Sequence, residues 1–376
     1  MNQMVGRHSI EFQNAPRIIS CASVVGPKEG EGPLGDSFDL VAPEAEFGED
    51  TWEQAESTMQ KEALQTAIGK AGLEAWQVRY LFGGDLLAQL IATSFGNGDT
   101  EIPLFGLYGA CSTCGEALML AAMTVAGGYA DYVAALTSSH FGSAEKEFRF
   151  PLGYGSQRPL SASWTVTGSG AFLLSAKGGG EPRHAKSPYG DGAVPSSISV
   201  GNRDIACIRH KKRCRTGQVK ITGATPGRIV DMGLKDNLNM GACMAPAAAD
   251  TIYQNLMDFN YQPEDYDHII TGDLGYVGQH ILFDLMKEKG FDISGQHIDC
   301  GIEIYDKEKQ DTHSGGSGCG CSAVVLAAMI LPKLAAGTWK RVLFVPTGAL
   351  LSKVSFNEGQ TVPGIAHAIV LETCSD

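Results

Sequence analysis

The chain has 376 residues, of which 43% are hydrophobic and 19% charged, with a formal net charge of −13. That length suffices for two domains or two fused halves with sizeable cores, and the balance is that of an ordinary soluble globular protein. The acidic excess argues against a nucleic-acid partner for the body of the protein.

The opening MNQMVGRHSIEFQNAPR lacks the apolar stretch of a signal peptide, and no apolar run is long enough to span a bilayer. Ten cysteines without an export signal are expected to stay reduced. Residues 17–25 read as a strand. Thr51 opens a helix, and TWEQ has the capping-box pattern, with Gln54 three residues on. Trp52, Ala55, Met59, Ala63, Ala67 and Ala71 recur at helical spacing and give one apolar face. Short strands follow at 78–82, 102–107, 132–136 and 171–175. Pro246 stands where a first helical residue would, opening a helix over APAAADTIYQNLMDF. Further strands are expected at 268–271, 341–345 and 366–371. This alternation argues for an α/β sandwich with largely parallel sheets.

The two halves resemble each other. YLFGGDLLAQ (80–89) parallels IITGDLGYVG (269–278), an apolar strand followed by Gly-Asp-Leu. CSTCGEALMLAAM (111–123) parallels CGCSAVVLAAM (319–329), and GGYADYVAALTSSH (127–140) parallels AGTWKRVLFVPTGA (336–349). Three blocks in the same order imply an internal duplication, with two similar halves packed together.

The turn LYGACSTCGEAL (107–118) concentrates the chemistry. Cys111 is a nucleophile at a helix start, half of a redox pair with Cys114, a metal ligand, or a small buried residue. A helix N-terminus favours a thiolate, and its free N–H groups can hold an oxyanion. Gly106, Gly109 and Ala110 let the chain turn tightly beside a ligand. A thioredoxin-like context is missing, and Cys319-Gly-Cys321 is poorly spaced for zinc. Cys207, His210 and Cys214 form a further loose set.

On these residues the sequence resembles the thiolase-like family, which includes thiolases and type III β-ketoacyl synthases. GACSTCGEAL is similar to the turn that carries their acyl-accepting cysteine. TVTGSGAFLLS (165–175) looks like the family's glycine strand, and HSGGSGCGCSA (313–323) like its second glycine-rich loop. The resemblance implies an α/β, five-layer α/β/α/β/α sandwich of two duplicated halves. These would be residues 1–177, with Cys111 at the nucleophile position, and residues 218–376. It puts His313 near the place of the family's His or Asn, as a second catalytic position. It marks Cys111, His140, Asp273, His313, Gly316 and Ser317 as pocket residues. The fold usually pairs through its first-half sheet, which implies a homodimer.

A narrower match runs from about residue 8 to 373. VGPKEGEGPLGDSFD, GDLLAQ, GACST, TSSH, TVTGSGA, MAPAAADTI, ITGDLG, GGSGCGCSAVV and PTGALLS together resemble the stage V sporulation protein AD family of spore-forming bacteria. That resemblance implies binding of dipicolinic acid and a part in its uptake into the developing spore. It also implies membrane subunits of the stage V sporulation A complex as partners, and a peripheral place on the inner spore membrane.

Active condensing enzymes need the cysteine plus two His, or His and Asn. The loop after 268–271 carries Thr271, Gly272 and Asp273 instead. A carboxylate cannot donate to an oxyanion as imidazole does, so a fold recruited for binding is the expectation. The alternatives are a working acyltransferase or β-ketoacyl synthase using Cys111, and a scaffold for membrane subunits. Asp85, in the loop equivalent to that of Asp273, reads as a helix cap or a site residue. Dipicolinic acid is a flat pyridine with two carboxylates, which asks for convergent donors. Arg149 and Arg158 are candidates, and calcium arriving with the ligand would call on Asp oxygens. Residues 178–217 form a Gly/Pro/Ser-rich insertion, expected to be flexible. Residues 181–215 hold eight Lys or Arg and three Asp or Glu, a local charge of about +5 that leaves about −18 elsewhere. RHKKRCR there suits an anionic surface or is simply solvated.

Overall fold

The computed structural model describes residues 2–148, 158–176, 208–209 and 219–374. In chain order the first half supplies β1 (Arg17–Val25), α1 (Trp52–Ala71), β2 (Tyr80–Gly84), β3 (Leu104–Gly106), α2 (Thr113–Ala126), β4 (Tyr132–Ser139) and β5 (Gly168–Ser175). The second half supplies β6 (Val219–Thr225), α3 (Met240–Phe259), β7 (His268–Thr271), α4 (Gly275–Glu288), β8 (His297–Asp299), α5 (Cys319–Val325), β9 (Arg341–Val345) and β10 (Ala368–Thr373).

The strands form one hydrogen-bonded order, β8-β7-β9-β10-β6-β1-β5-β4-β2-β3. Read outward from the middle, β6-β10-β9-β7-β8 repeats β1-β5-β4-β2-β3, so the duplication in the sequence is a duplication in space. The halves join where β1 meets β6, antiparallel, with Ile18 opposite Val219 and Arg17 opposite Lys220. In each half the two outer pairings are parallel and the two inner ones antiparallel. The sheets are therefore mixed rather than largely parallel. β5 and β10 run back beside their neighbours, a direction that needs no helical crossover.

Helices cover both outer faces and fill the space between the two sheet halves. On one outside, Met59 and Leu64 of α1 pack on Leu81, Leu136 and Leu173. On the other, Ile252 and Leu256 of α3 pack on Ile269, Leu343 and Val370. Between them, Leu118 and Ala122 of α2 and Val324 of α5 meet Phe172, Val342 and Leu371. This is the five-layer α/β/α/β/α sandwich. Its central layer is tight: a Cβ on Gly170 of β5 would lie 2.7 Å from Ala323 of α5.

Local signals decided several boundaries. The Thr51 side chain accepts the Gln54 N–H and starts α1, and Gly72 at φ 68° ends it. The Gln54 side chain accepts from the Thr51 hydroxyl, at 3.0 Å. Ala55, Met59, Ala63 and Ala67 are buried as expected, while Trp52 and Ala71 are half-buried. Pro246 does not open α3: the helix starts six residues earlier, at Met240, with Asn239 accepting the Ala242 N–H. The entry is fixed by the Asn239 cap and by Gly241, whose Cβ would lie 2.4 Å from the Leu274 carbonyl oxygen. Burial of α3 on both sides of Pro246 offsets the one hydrogen bond that proline cannot make.

Of the insertion over 178–217, Ile208–Arg209 form a short strand against Leu40–Val41. The expectation of flexibility otherwise falls outside the described residues. Among the described residues no helix is long and apolar enough to cross a membrane.

Candidate functional site

The turn between β3 and α2 is held by its own side chains. The Ser112 hydroxyl donates to the Gly109 carbonyl (2.7 Å), and the Thr113 hydroxyl donates to the Ala110 carbonyl (2.7 Å). Ala110 sits in the left-handed region at φ 51°, a strained place for a residue with a Cβ. That kink carries Cys111 to the wall of a cleft that opens to solvent. Leu86, Tyr108, Phe148, Met240 and Leu351 give it apolar walls from both halves, and Glu145, Thr165 and Ser317 add polar groups. Among the described residues its lining has no Lys, Arg or His. Apolar walls with a few polar groups are the character of a small-molecule site.

Behind Cys111 lies Asp273, from the loop after β7. Asp273 Oδ2 accepts the Gly318 N–H (2.9 Å), and its Oδ1 accepts the Thr347 hydroxyl (2.7 Å). The Cys111 thiol is near enough to feel the charge of the same carboxylate. Burial pushes the Asp273 carboxyl up to about 7, against the pull of these hydrogen bonds. Burial, then the Asp273 charge, pushes the Cys111 thiol well above its ordinary value. A His partner would stabilise a thiolate; a carboxylate partner stabilises the thiol. The geometry of a nucleophile turn is present here, without the electrostatics that activate one.

Ser317 joins Cys111 at the cleft. Gly316, one residue before it, turns to the core, where an added Cβ would lie 2.8 Å from Ile304. Alternation along a strand sends neighbours to opposite faces, so Gly316 is corrected from ligand contact to packing. His140 is also corrected. Its Nε2–H donates to the Ala45 carbonyl (2.8 Å), and its Nδ1 accepts the Gly142 N–H (3.0 Å). Burial holds its pKa below the usual value, and both ring nitrogens are committed to backbone away from the cleft lining. His313 lies outside the lining as well. At φ 54° its ring turns to the Pro159 carbonyl (2.9 Å) and to Asp311 Oδ1 (3.2 Å). Second-half residues at the cysteine are thus Asp273 and Ser317, not His313.

Asp85 caps a helix, one of the two roles expected of it: its carboxylate holds the first turn of the helix Ile91–Asn97 as well as its own loop. It accepts the Leu87 N–H (2.8 Å), the Thr93 N–H (2.8 Å) and the Thr93 hydroxyl (2.6 Å). Arg158 donates to the Asp311 carbonyl (3.1 Å) and lies over the Trp164 ring. Cys114 faces the core, where burial pushes its thiol up to about 12, and both Cys111 and Cys114 are free thiols. Arg149, Cys207, His210 and Cys214 lie outside the described residues. Among the described residues no three His, Cys, Asp or Glu are grouped to hold a metal.

Sequence reasoning missed Thr165, Glu145 and Tyr108 at the cleft. It also missed Glu56, buried in α1, whose carboxylate accepts from Ser138 (2.8 Å) and Ser143 (2.7 Å). Burial and then the Asp85 charge raise the Glu56 pKa. Two polar positions inside the apolar stripe of α1, Glu56 and Gln60, were the available signal.

Residues 6–372 match the family described as Stage V sporulation protein AD (SpoVAD). A relative described as Stage V sporulation protein AD, from Bacillus subtilis (strain 168), is 38% identical over 370 residues, covering 98% of each chain. Solved structures of similar fold include AbyA1, a tetronic acid condensing enzyme, at 16% identity and TM-score 0.52 over 95% of this chain and 99% of that one. Cerulenin-bound OleA of Xanthomonas campestris aligns at 13% identity and TM-score 0.53 over 96% and 97%. These likenesses establish the thiolase-like fold. By its match along almost its whole length, the chain belongs to the stage V sporulation protein AD family.

Proposed function

We propose that this sporulation protein binds dipicolinic acid, pyridine-2,6-dicarboxylate, in the cleft beside Cys111 and takes part in its uptake into the developing spore. The observation that carries the reading is buried Asp273 standing behind Cys111, where its charge disfavours a thiolate. It leaves the old nucleophile turn as a quiet wall, while the cleft in front of it stays open. The ring fits the apolar walls, and the carboxylates meet the polar edge. Glu145, 4% exposed at the lining, favours a ligand whose charge is partly offset by calcium that it brings along.

Membrane subunits of the stage V sporulation A complex would hold the protein at the inner spore membrane. A second copy would cover the edge strand β3, where Leu104 and Phe105 are 40% and 49% exposed. Unpaired apolar edges of this kind are sites of association.

The test is a calorimetric titration of the full chain with dipicolinic acid, with and without calcium, for wild type and Cys111→Ala. Saturable binding is expected, weakened in the variant, because removing the thiol leaves the Asp273 charge facing the ligand. Absence of binding under both conditions sinks the reading. Incubation with acyl-CoA then tests the alternative, acyl transfer by Cys111, through an adduct on that residue seen by mass spectrometry.

A further inference from the structure

The strand Trp164–Thr165 of the first half runs parallel to Gly316–Ser317 of the second, with Thr165 opposite Ser317. Both side chains line the cleft beside Cys111. Thr165 is 6% and Ser317 3% exposed, and what they expose faces the cleft, where neither hydroxyl counts among the buried polar atoms left without a partner. A hydroxyl open to a cleft is free to bond a ligand or water. Neighbouring hydroxyls are committed inside the protein: Ser139 donates to the Val166 carbonyl (2.7 Å), Thr137 to the Cys319 carbonyl (3.1 Å), and Thr167 accepts the Phe141 N–H (3.1 Å).

The pair is also rigidly placed. The Trp164 N–H donates to Gly315 and the Val166 N–H to Ser317, both at 2.8 Å. Trp164 stacks on Phe141 with centroids 3.9 Å apart. Buried Glu29 accepts both the Thr167 N–H (3.0 Å) and the Tyr305 hydroxyl, one from each half.

We propose that Thr165 and Ser317 set the ligand specificity of the cleft, each hydroxyl donating to a different carboxylate of a 1,3-disposed aromatic dicarboxylate. This rests on the dicarboxylate reading above and names how the ligand is measured. Adjacent strands lie about 4.8 Å apart, so side chains in register present their hydroxyls at about that spacing. Carboxyl carbons flanking one ring atom are roughly 5 Å apart, from C–C bonds of about 1.5 Å. Carboxyls on neighbouring ring atoms sit closer, and those across the ring sit farther. A carboxylate only accepts and a hydroxyl can donate, so the polarity matches. The Cys111 thiol on the same wall faces a ligand only as a weak donor, since burial and the Asp273 charge keep it protonated.

The experiment titrates pyridine-2,6-dicarboxylate and pyridine-2-carboxylate into wild type, Thr165→Val, Thr165→Ser and Ser317→Ala. Wild type is expected to favour the diacid. Thr165→Val, which keeps the shape and removes the hydroxyl, should raise the diacid Kd about tenfold or more and collapse the preference over the monoacid. Thr165→Ser keeps the hydroxyl and should stay within about threefold of wild type. Ser317→Ala should collapse the same preference independently, so failure of one variant to fold leaves the proposal exposed through the other. Diacid binding whose preference survives in both hydroxyl-free variants overturns this inference alone. A wild type that takes up neither acid overturns the functional reading and this inference with it.

Discussion

The turns that lead into α2 and α5 hold equivalent places in the two halves, but they differ in what they face. The first reaches Cys111 through a strained Ala110 and opens to the cleft. The second reaches Cys319 through Gly318 at φ 104°, and Cys319 is fully buried with its thiol donating to the Ser138 carbonyl (2.8 Å). The preceding aspartates diverge in the same way. Asp85 holds its own loop and the first turn of the helix Ile91–Asn97, whereas Asp273 takes donors from Gly318 and Thr347 and stands behind Cys111. Duplication supplied the same scaffold twice. One loop, reaching across to the other half, decides which copy becomes a site and whether its cysteine is active.

The comparison breaks most visibly at Gly318. A Cβ there would lie 2.5 Å from Ser139 Oγ at a left-handed φ, so Gly318→Ala is expected to cost about 3 kcal/mol or more in denaturant unfolding. Next is thiol reactivity. Iodoacetamide should modify Cys111 slowly in wild type and about tenfold faster in Asp273→Asn, where the neighbouring charge is gone. An equal rate in both would remove the electrostatic account of the silent nucleophile.

The pH dependence of melting sharpens the contrast between the aspartates. Asp273 rises from 3.8 to about 7 in the fold and Asp299 to about 6. Their neutral forms are favoured by burial, so this stability is full below about pH 4 and lost as pH climbs to about 7. Buried His297, lowered from 6.5 to about 3, acts oppositely: its contribution is full above 6.5 and lost as pH falls toward 3. Asp273→Asn should flatten the loss between pH 4 and 7, and Asp85→Asn should flatten it less. The smallest effect is expected for Ala110→Gly, within about 1 kcal/mol of wild type, since relieved strain offsets added chain entropy.

Much of this was legible in the sequence. Apolar runs marked most sheet strands, the repeated Gly-Asp-Leu and LAAM blocks marked the duplication, and GACS marked Cys111. What was hidden depends on contacts between distant segments. Thr165 lies in a strand of two residues, too short to show a period, and its meaning comes from Ser317 152 positions later. His140 and His313 were named by residue type, but backbone carbonyls at Ala45 and Pro159 claimed their rings. Pro246 misplaced a helix start because the Asn239 cap and the Gly241–Gly278 contact outweighed it.

The strand pair beneath the cleft takes one strand from each half, so the floor of the cleft is also a seam between them. Ligand occupancy and the cohesion of the two halves are then one thermodynamic quantity. A ligand at a hundred times its Kd would add about 2.7 kcal/mol to the folded state. Any force that slides one half past the other would loosen the ligand by the same linkage, without touching a single residue of the cleft.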